Sequence, residues 1–168
     1  MEPSVTHSTF VIEHNYPYPP ERLFEAFADP EKKRRWYADR GSHSVEQFTM
    51  DFRVGGTERL RFHMGPDTPL PGVPLAADTV YQDIVPNQRI VSAYTMTIGD
   101  HRMSSSLLTI ELIPIAGGTE LRCTHQGAFF EGSDGPQMRE QGWRGLIARL
   151  TEELKRTDSK SAREQGAA

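Results

Sequence analysis

Between residues 44 and 126 the chain carries six consecutive stretches of β-strand character joined by short turns, and a long helical period follows only after them. This order constrains the fold more than any other feature. Strands joined by short turns pair antiparallel, because a parallel pair needs a crossover of a dozen or more residues. The six stretches are 44–52, 57–64, 77–85, 89–98, 104–115 and 119–126. Apolar residues alternate along them: Phe48, Met50 and Phe52, then Leu60, Phe62 and Met64, then Leu108, Ile110 and Leu112, then Leu121, Cys123 and His125. Alternation gives each strand one inward face. Arg53-Val54-Gly55-Gly56, Pro86-Asn87 and Gly117-Gly118 are turn signals, the last a tight-turn dipeptide between hairpin strands. Residues 65–74 hold four prolines and two glycines and read as a stiff loop, either a lid over an opening or a rigid connector.

A sheet with one apolar face must be covered. The one element long enough is the helix predicted over 137–154, where Met138, Gly142, Leu146, Ile147, Leu150 and Leu154 recur at three- and four-residue steps. It would run about five turns, roughly 27 Å. Before the strands, residues 9–14 read as a first strand. Pro20 opens a short helix over 21–28, and Asp29-Pro30 caps a second over 31–38. In that second helix Glu31 and Arg35 stand four residues apart, an orientation that supports the helix locally. The predicted architecture is α+β: a curved antiparallel sheet of about seven strands, two short helices, and a long C-terminal helix, with the space between sheet and helix either packed solid or hollow. Residues 8–155 are expected to form one domain, and 156–168 (almost free of bulky apolar residues) a disordered tail.

Composition removes several classes of function. One cysteine in 168 residues makes no internal disulfide, so a disulfide framework is excluded. No apolar run approaches the roughly 18 residues of a membrane span, and residues 1–9 lack the apolar core of a secretory signal. The expected location is cytoplasmic, without membrane insertion. A net charge of −4 argues against general nucleic-acid binding. The basic cluster EKKRRWYADR then reads as a solvated helix face, with Trp36 and Tyr37 turned inward.

Five segments in order resemble one family. YPYPPERLFEAFADPEKKRRWYAD is similar to the opening of the homologues of the activator of Hsp90 ATPase, within the START-like, Bet v 1-like (SRPBCC, polyketide cyclase/dehydrase-like) superfamily. FRVGGTERLRF, DIVPNQRIVSAYTM, GGTELRCTHQGAF and QGWRGLIARLTEEL resemble its later strands and its C-terminal helix. The resemblance spans roughly residues 8–155 and implies a helix-grip fold with an internal cavity for a small hydrophobic ligand.

Two further functions compete with ligand binding. A cavity enzyme of cyclase, dehydratase or hydrolase type would use a positioned His or Tyr as general acid or base. A co-chaperone would contact a heat-shock ATPase, although the eukaryotic activator carries a further N-terminal domain and only about eight residues precede the first strand here.

The residues expected to line the cavity are Trp36, Phe62, Met64, Tyr81, Tyr94, Met96, Leu108, Ile110, Cys123, His125, Met138, Trp143 and Ile147. His125, Tyr94 and Tyr81 would be its polar groups. No catalytic residue is assigned: there is no nucleophile elbow, P-loop or dinucleotide fingerprint, and alternation splits Ser104, Ser105 and Ser106 between two faces. No cofactor is expected. No metal is expected either, since the six histidines lack ligand spacing and Cys123 with His125 would need further ligands. Cys123 reads as a buried, inert thiol. The expected assembly is a monomer or homodimer holding one small hydrophobic or amphipathic ligand.

Overall fold

The structure, a computed structural model, describes the backbone of residues 1–166 and the side chains of residues 1–156 and 166. The strands are β1 (Val5–Tyr16), β2 (Ser44–Met50), β3 (Thr57–His63), β4 (Pro74–Val85), β5 (Arg89–Ile98), β6 (His101–Ile115) and β7 (Gly118–Phe130). They form one antiparallel sheet in the order β1-β7-β6-β5-β4-β3-β2. Every neighbour from β2 to β7 is a hairpin, and β1 closes the far side by pairing Val5 with Phe130 through to Tyr16 with Thr119. Register shifts at Val45/Gln47, Tyr81/Asp83 and Met96/Thr97 mark bulges. Bulges bend strands and increase twist, which is how an open sheet curls around a helix.

The turn between β6 and β7 sits one residue earlier than expected: Ile115 pairs with Gly118, leaving Ala116 and Gly117 in the loop. Gly117 adopts φ +80°, the conformation such a turn requires. Gly118 serves a different purpose. A Cβ there would lie 1.9 Å from the Tyr16 carbonyl oxygen, so only glycine lets β1 end against this hairpin.

Helix α1 (Pro20–Ala28) buries Leu23, Ala26 and Phe27. Asp29 then caps α2 (Pro30–Lys33), its carboxylate accepting from the Glu31 and Lys32 amides at 2.9 and 3.1 Å. The second short helix does not continue as α-helix. Arg34–Ala38 winds as a π-turn, closed by the Asp39 amide donating to the Arg34 carbonyl at 2.8 Å. The wider turn places Trp36, Tyr37 and Ala38 inward together. Trp36 donates its indole N–H to the Ala26 carbonyl at 2.8 Å and packs edge-on against Phe27.

Helix α3 (Pro136–Gly166) runs beyond the predicted end at residue 154. The described part of the segment expected as a disordered tail is therefore helical in backbone, while residues 167 and 168 lie outside the described residues. Lys, Arg, Ala, Glu and Gln all favour helix, and no proline interrupts the run.

The inner stripe of α3 carries Trp143, Leu146, Ile147, Leu150 and Leu154, all buried. Polar ties fix its position. Arg35 donates to both carboxylate oxygens of Glu153 on α3 at 2.6 to 3.1 Å. Arg149 donates to the carbonyls of Arg35, Trp36 and Asp39. The Tyr16 hydroxyl meets Thr151 Oγ1 at 2.9 Å. No helix among the described residues is long and apolar enough to cross a membrane.

Candidate ligand-binding site

The grip between sheet and helix is hollow at one end. A cavity of about 430 Å³ lies under the first turns of α3, over the inner face of β3 to β6. That volume falls within the roughly 300–1,000 Å³ of small-molecule sites. Its floor is Phe62 and Met64 at the end of β3, Leu75 and Ala77 on β4, Tyr94, Met96 and Ile98 on β5, and Met103 on β6. Its roof is Met138, Arg139, Gly142, Trp143 and Leu146 on α3. Tyr37, Arg40 and His43 close one side, and Pro69 and Leu70 of the proline-rich loop reach across the mouth.

That loop is anchored at both levels. At its base, the Met64 amide donates to the Val73 carbonyl and the Gly72 amide to the Met64 carbonyl. Across the opening, the Gly65 amide donates to His43 Nδ1 at 3.0 Å and the Ser42 hydroxyl to Asp67 at 2.5 Å. Accepting at Nδ1 requires His43 to be neutral with its proton on Nε2. Burial holds its pKa below the usual histidine value, with the nearby Arg40 charge acting in the same direction.

At the deep end a polar cluster pins α3 to the sheet. Arg139 Nε and Nη2 hold Asp134 at 2.8 Å each, Nη2 reaches Ser104 at 2.9 Å, and Nη1 donates to the Tyr94 hydroxyl at 3.2 Å. The Trp143 indole N–H also donates to Tyr94 at 3.2 Å. With two donors on its lone pairs, Tyr94 must give its own proton to His125 Nε2, 2.6 Å away. His125 is thus a neutral imidazole with its proton on Nδ1, an atom that finds no partner among the described residues. It is fully buried and stacks on Phe10 at a centroid separation of 4.7 Å. Burial, reinforced by the Arg139 charge, pushes its pKa down to about 4.

Of the thirteen residues expected to line the cavity, Phe62, Met64, Tyr94, Met96, Met138 and Trp143 do so. Trp36, Tyr81, Leu108 and Ile110 instead surround a separate void of about 20 Å³ deeper in the core, room for a single water at most. Tyr81 turns its hydroxyl to Glu58 at 2.7 Å, and Glu58 accepts from Lys33 at 2.5 Å, forming a buried trio. Cys123, His125 and Ile147 are buried outside the cavity wall, because the hollow lies toward β3 to β5 and the inner residues of β7 are solidly covered. Burial raises the Cys123 thiol to about 12, well away from a reactive thiolate.

The expected list omitted Tyr37, Arg40, His43, Ala77, Met103, Arg139 and Gly142. Arg139 was legible, being a charged residue in helical phase with Trp143, Leu146 and Leu150 on the inner stripe. No group of three His, Cys, Asp or Glu side chains suited to a metal converges among the described residues.

The model of the Activator of Hsp90 ATPase homolog 1-like protein family matches residues 17–155. The chain belongs to that family. Among solved structures, a protein from Rhizobium leguminosarum is 38% identical with a TM-score of 0.84, covering 93% of this chain and 99% of its own. One from Rhizobium loti is 49% identical at a TM-score of 0.80, over 89% of this chain and 99% of its own. A protein from Chromobacterium violaceum is 25% identical at 0.71, over 87% and 96%. No curated protein matches. The family and the seven-stranded sheet around a long helix make this a START-like, helix-grip module.

Proposed function

We propose that the protein is a binding module that holds one small, largely apolar molecule between β3–β6 and the first turns of α3. The observation that carries this reading is the cavity of about 430 Å³, walled mainly by aromatic, methionine and aliphatic side chains with a few polar groups at its ends. Two glycines of α3 support it. Gly142 and Gly145 stand in a helix, where glycine costs about 1 kcal/mol relative to alanine, yet a Cβ at either would meet nothing within 4 Å. Gly142 leaves the helix bare where it roofs the cavity, and neither glycine is there to let another element approach.

A cavity enzyme is the weaker reading. Tyr94, the polar residue best placed to act as an acid or base, already uses both lone pairs in holding α3 to the sheet and its proton in the bond to His125 on β7. His125 lies behind it and forms no part of the wall. Native mass spectrometry of protein purified from its own cells tests the proposal. A one-to-one noncovalent adduct that is lost on denaturation is expected. Purely apo protein that also takes up no added apolar molecule contradicts it.

A further inference from the structure

The charged groups of the cavity divide into one that is satisfied and one that is not. Arg139 spends four donor contacts on Asp134, Ser104 and Tyr94. Arg40, just past the π-turn, donates no side-chain hydrogen bond to any described residue. Its guanidinium lies 5.8 Å from the Tyr37 ring centroid and 5.2 Å from that of Phe62, and its buried Nε has no partner among the described residues. The nearby carboxylates are engaged elsewhere: Asp39 faces Arg34 at 3.5 Å, Asp67 takes the Ser42 hydroxyl, and Asp134 holds Arg139.

Arginine keeps its charge even when burial disfavours it, and burial does lower the Arg40 pKa, with Arg149 adding to the effect. The cavity therefore presents two guanidiniums against one carboxylate, in a protein whose net charge is −4. Tyr37 lies beside Arg40 with a hydroxyl that donates to no described residue. The rim around these groups is apolar, with Leu70 48% and Met138 61% exposed. A half-buried cation without a counter-charge is disfavoured, and an oxyanion brought by a ligand relieves that cost.

Resting on the ligand-binding reading above, we infer that the occupant is an anionic amphiphile. Its apolar body lies against Met96, Met103 and Trp143, and a single oxyanion headgroup, carboxylate or phosphate, meets the Arg40 guanidinium and the Tyr37 hydroxyl.

Calorimetric titration with octanoate, octyl phosphate and octan-1-ol tests this. A charge-assisted bond of this kind corresponds to roughly tenfold or more in affinity. At least one anion is therefore expected to bind roughly tenfold more tightly than the alcohol, and the tighter of the two anions names the headgroup. Arg40→Met is expected to abolish that preference while leaving alcohol affinity within about threefold, a limit of under 1 kcal/mol. Arg40→Lys keeps a charge and should retain part of the preference, which guards against a packing defect in the Met variant. A weaker anion preference of the wild-type chain in high salt provides a check that needs no variant.

If the alcohol binds as tightly as both anions, or if Arg40→Met keeps the preference, the headgroup assignment is overturned while ligand binding stands. If none of the three binds, both fall.

Discussion

His125 makes the stability of this fold depend on pH in a calculable way. In the folded chain its pKa is depressed from 6.5 to about 4, because the imidazole is buried and Arg139 stands nearby. As pH falls, the unfolded chain takes up this proton first. The contribution is therefore intact above pH 6.5, declines through the window from 6.5 to 4, and is gone below it. At about 1.4 kcal/mol per pKa unit, the full loss is about 3 kcal/mol, a large share of the 5–15 kcal/mol by which a typical domain is stable. The comparison is His125→Gln, which keeps an acceptor for the Tyr94 hydroxyl but cannot titrate. Urea unfolding of both proteins at half-unit steps from pH 7.5 to 3.5 gives a difference curve. His43 and the acidic residues titrate in both chains and largely cancel. The wild-type chain should lose about 3 kcal/mol more than the variant between pH 6.5 and 4. Parallel curves would refute the assignment of a neutral His125 accepting from Tyr94.

Lys33 and Glu58 form a buried pair at 2.5 Å that Tyr81 completes, so Lys33→Met should cost roughly 3–5 kcal/mol in urea unfolding by leaving Glu58 uncompensated. Replacing both residues, Lys33→Met with Glu58→Leu, should recover much of that loss, and an additive double variant would contradict a coupled pair. Gly142→Ala should raise stability by about 1 kcal/mol, since the helix gains propensity and the new Cβ meets nothing within 4 Å; a lowered melting temperature would show that the space beside α3 is not open. Cys123, with its thiol at about 12, should resist iodoacetamide at pH 8 in native protein and react readily in urea, a contrast that rapid native labelling would remove.

The sheet was legible because alternation has a period of two and the turns carry glycine, proline or asparagine, so the strand order and antiparallel sense followed from residues 44–126 alone. The inner stripe of α3 was legible for the same kind of reason. The segment around residues 31–40 was less so. A π-turn adds a residue to the helical period and turns Trp36, Tyr37 and Ala38 inward in succession, which no amphipathic template anticipates. Lys33 looked like one more solvated cation in EKKRRWYADR. Its partners lie 25 and 48 residues away, although Glu58, a carboxylate in phase with Leu60 and Phe62, was a visible sign that a cation must come to it. Strand phase placed Cys123 and His125 inside but could not say which part of the interior is hollow. That depends on where α3 crosses the sheet, and its position is fixed by long-range ties such as Arg35 to Glu153 and Arg149 to the π-turn carbonyls.

Ligand binding as proposed requires the space under the first turns of α3 to be an open chamber. A crystal structure of the protein purified from its own cells, without added ligand, tests it most directly. An open chamber of about 430 Å³ is expected, holding electron density that no protein atom explains, its polar end against Arg40. Met96, Met103, Met138 and Trp143 folded inward to fill that space, with Arg40 paired to a carboxylate of the chain itself, would contradict it.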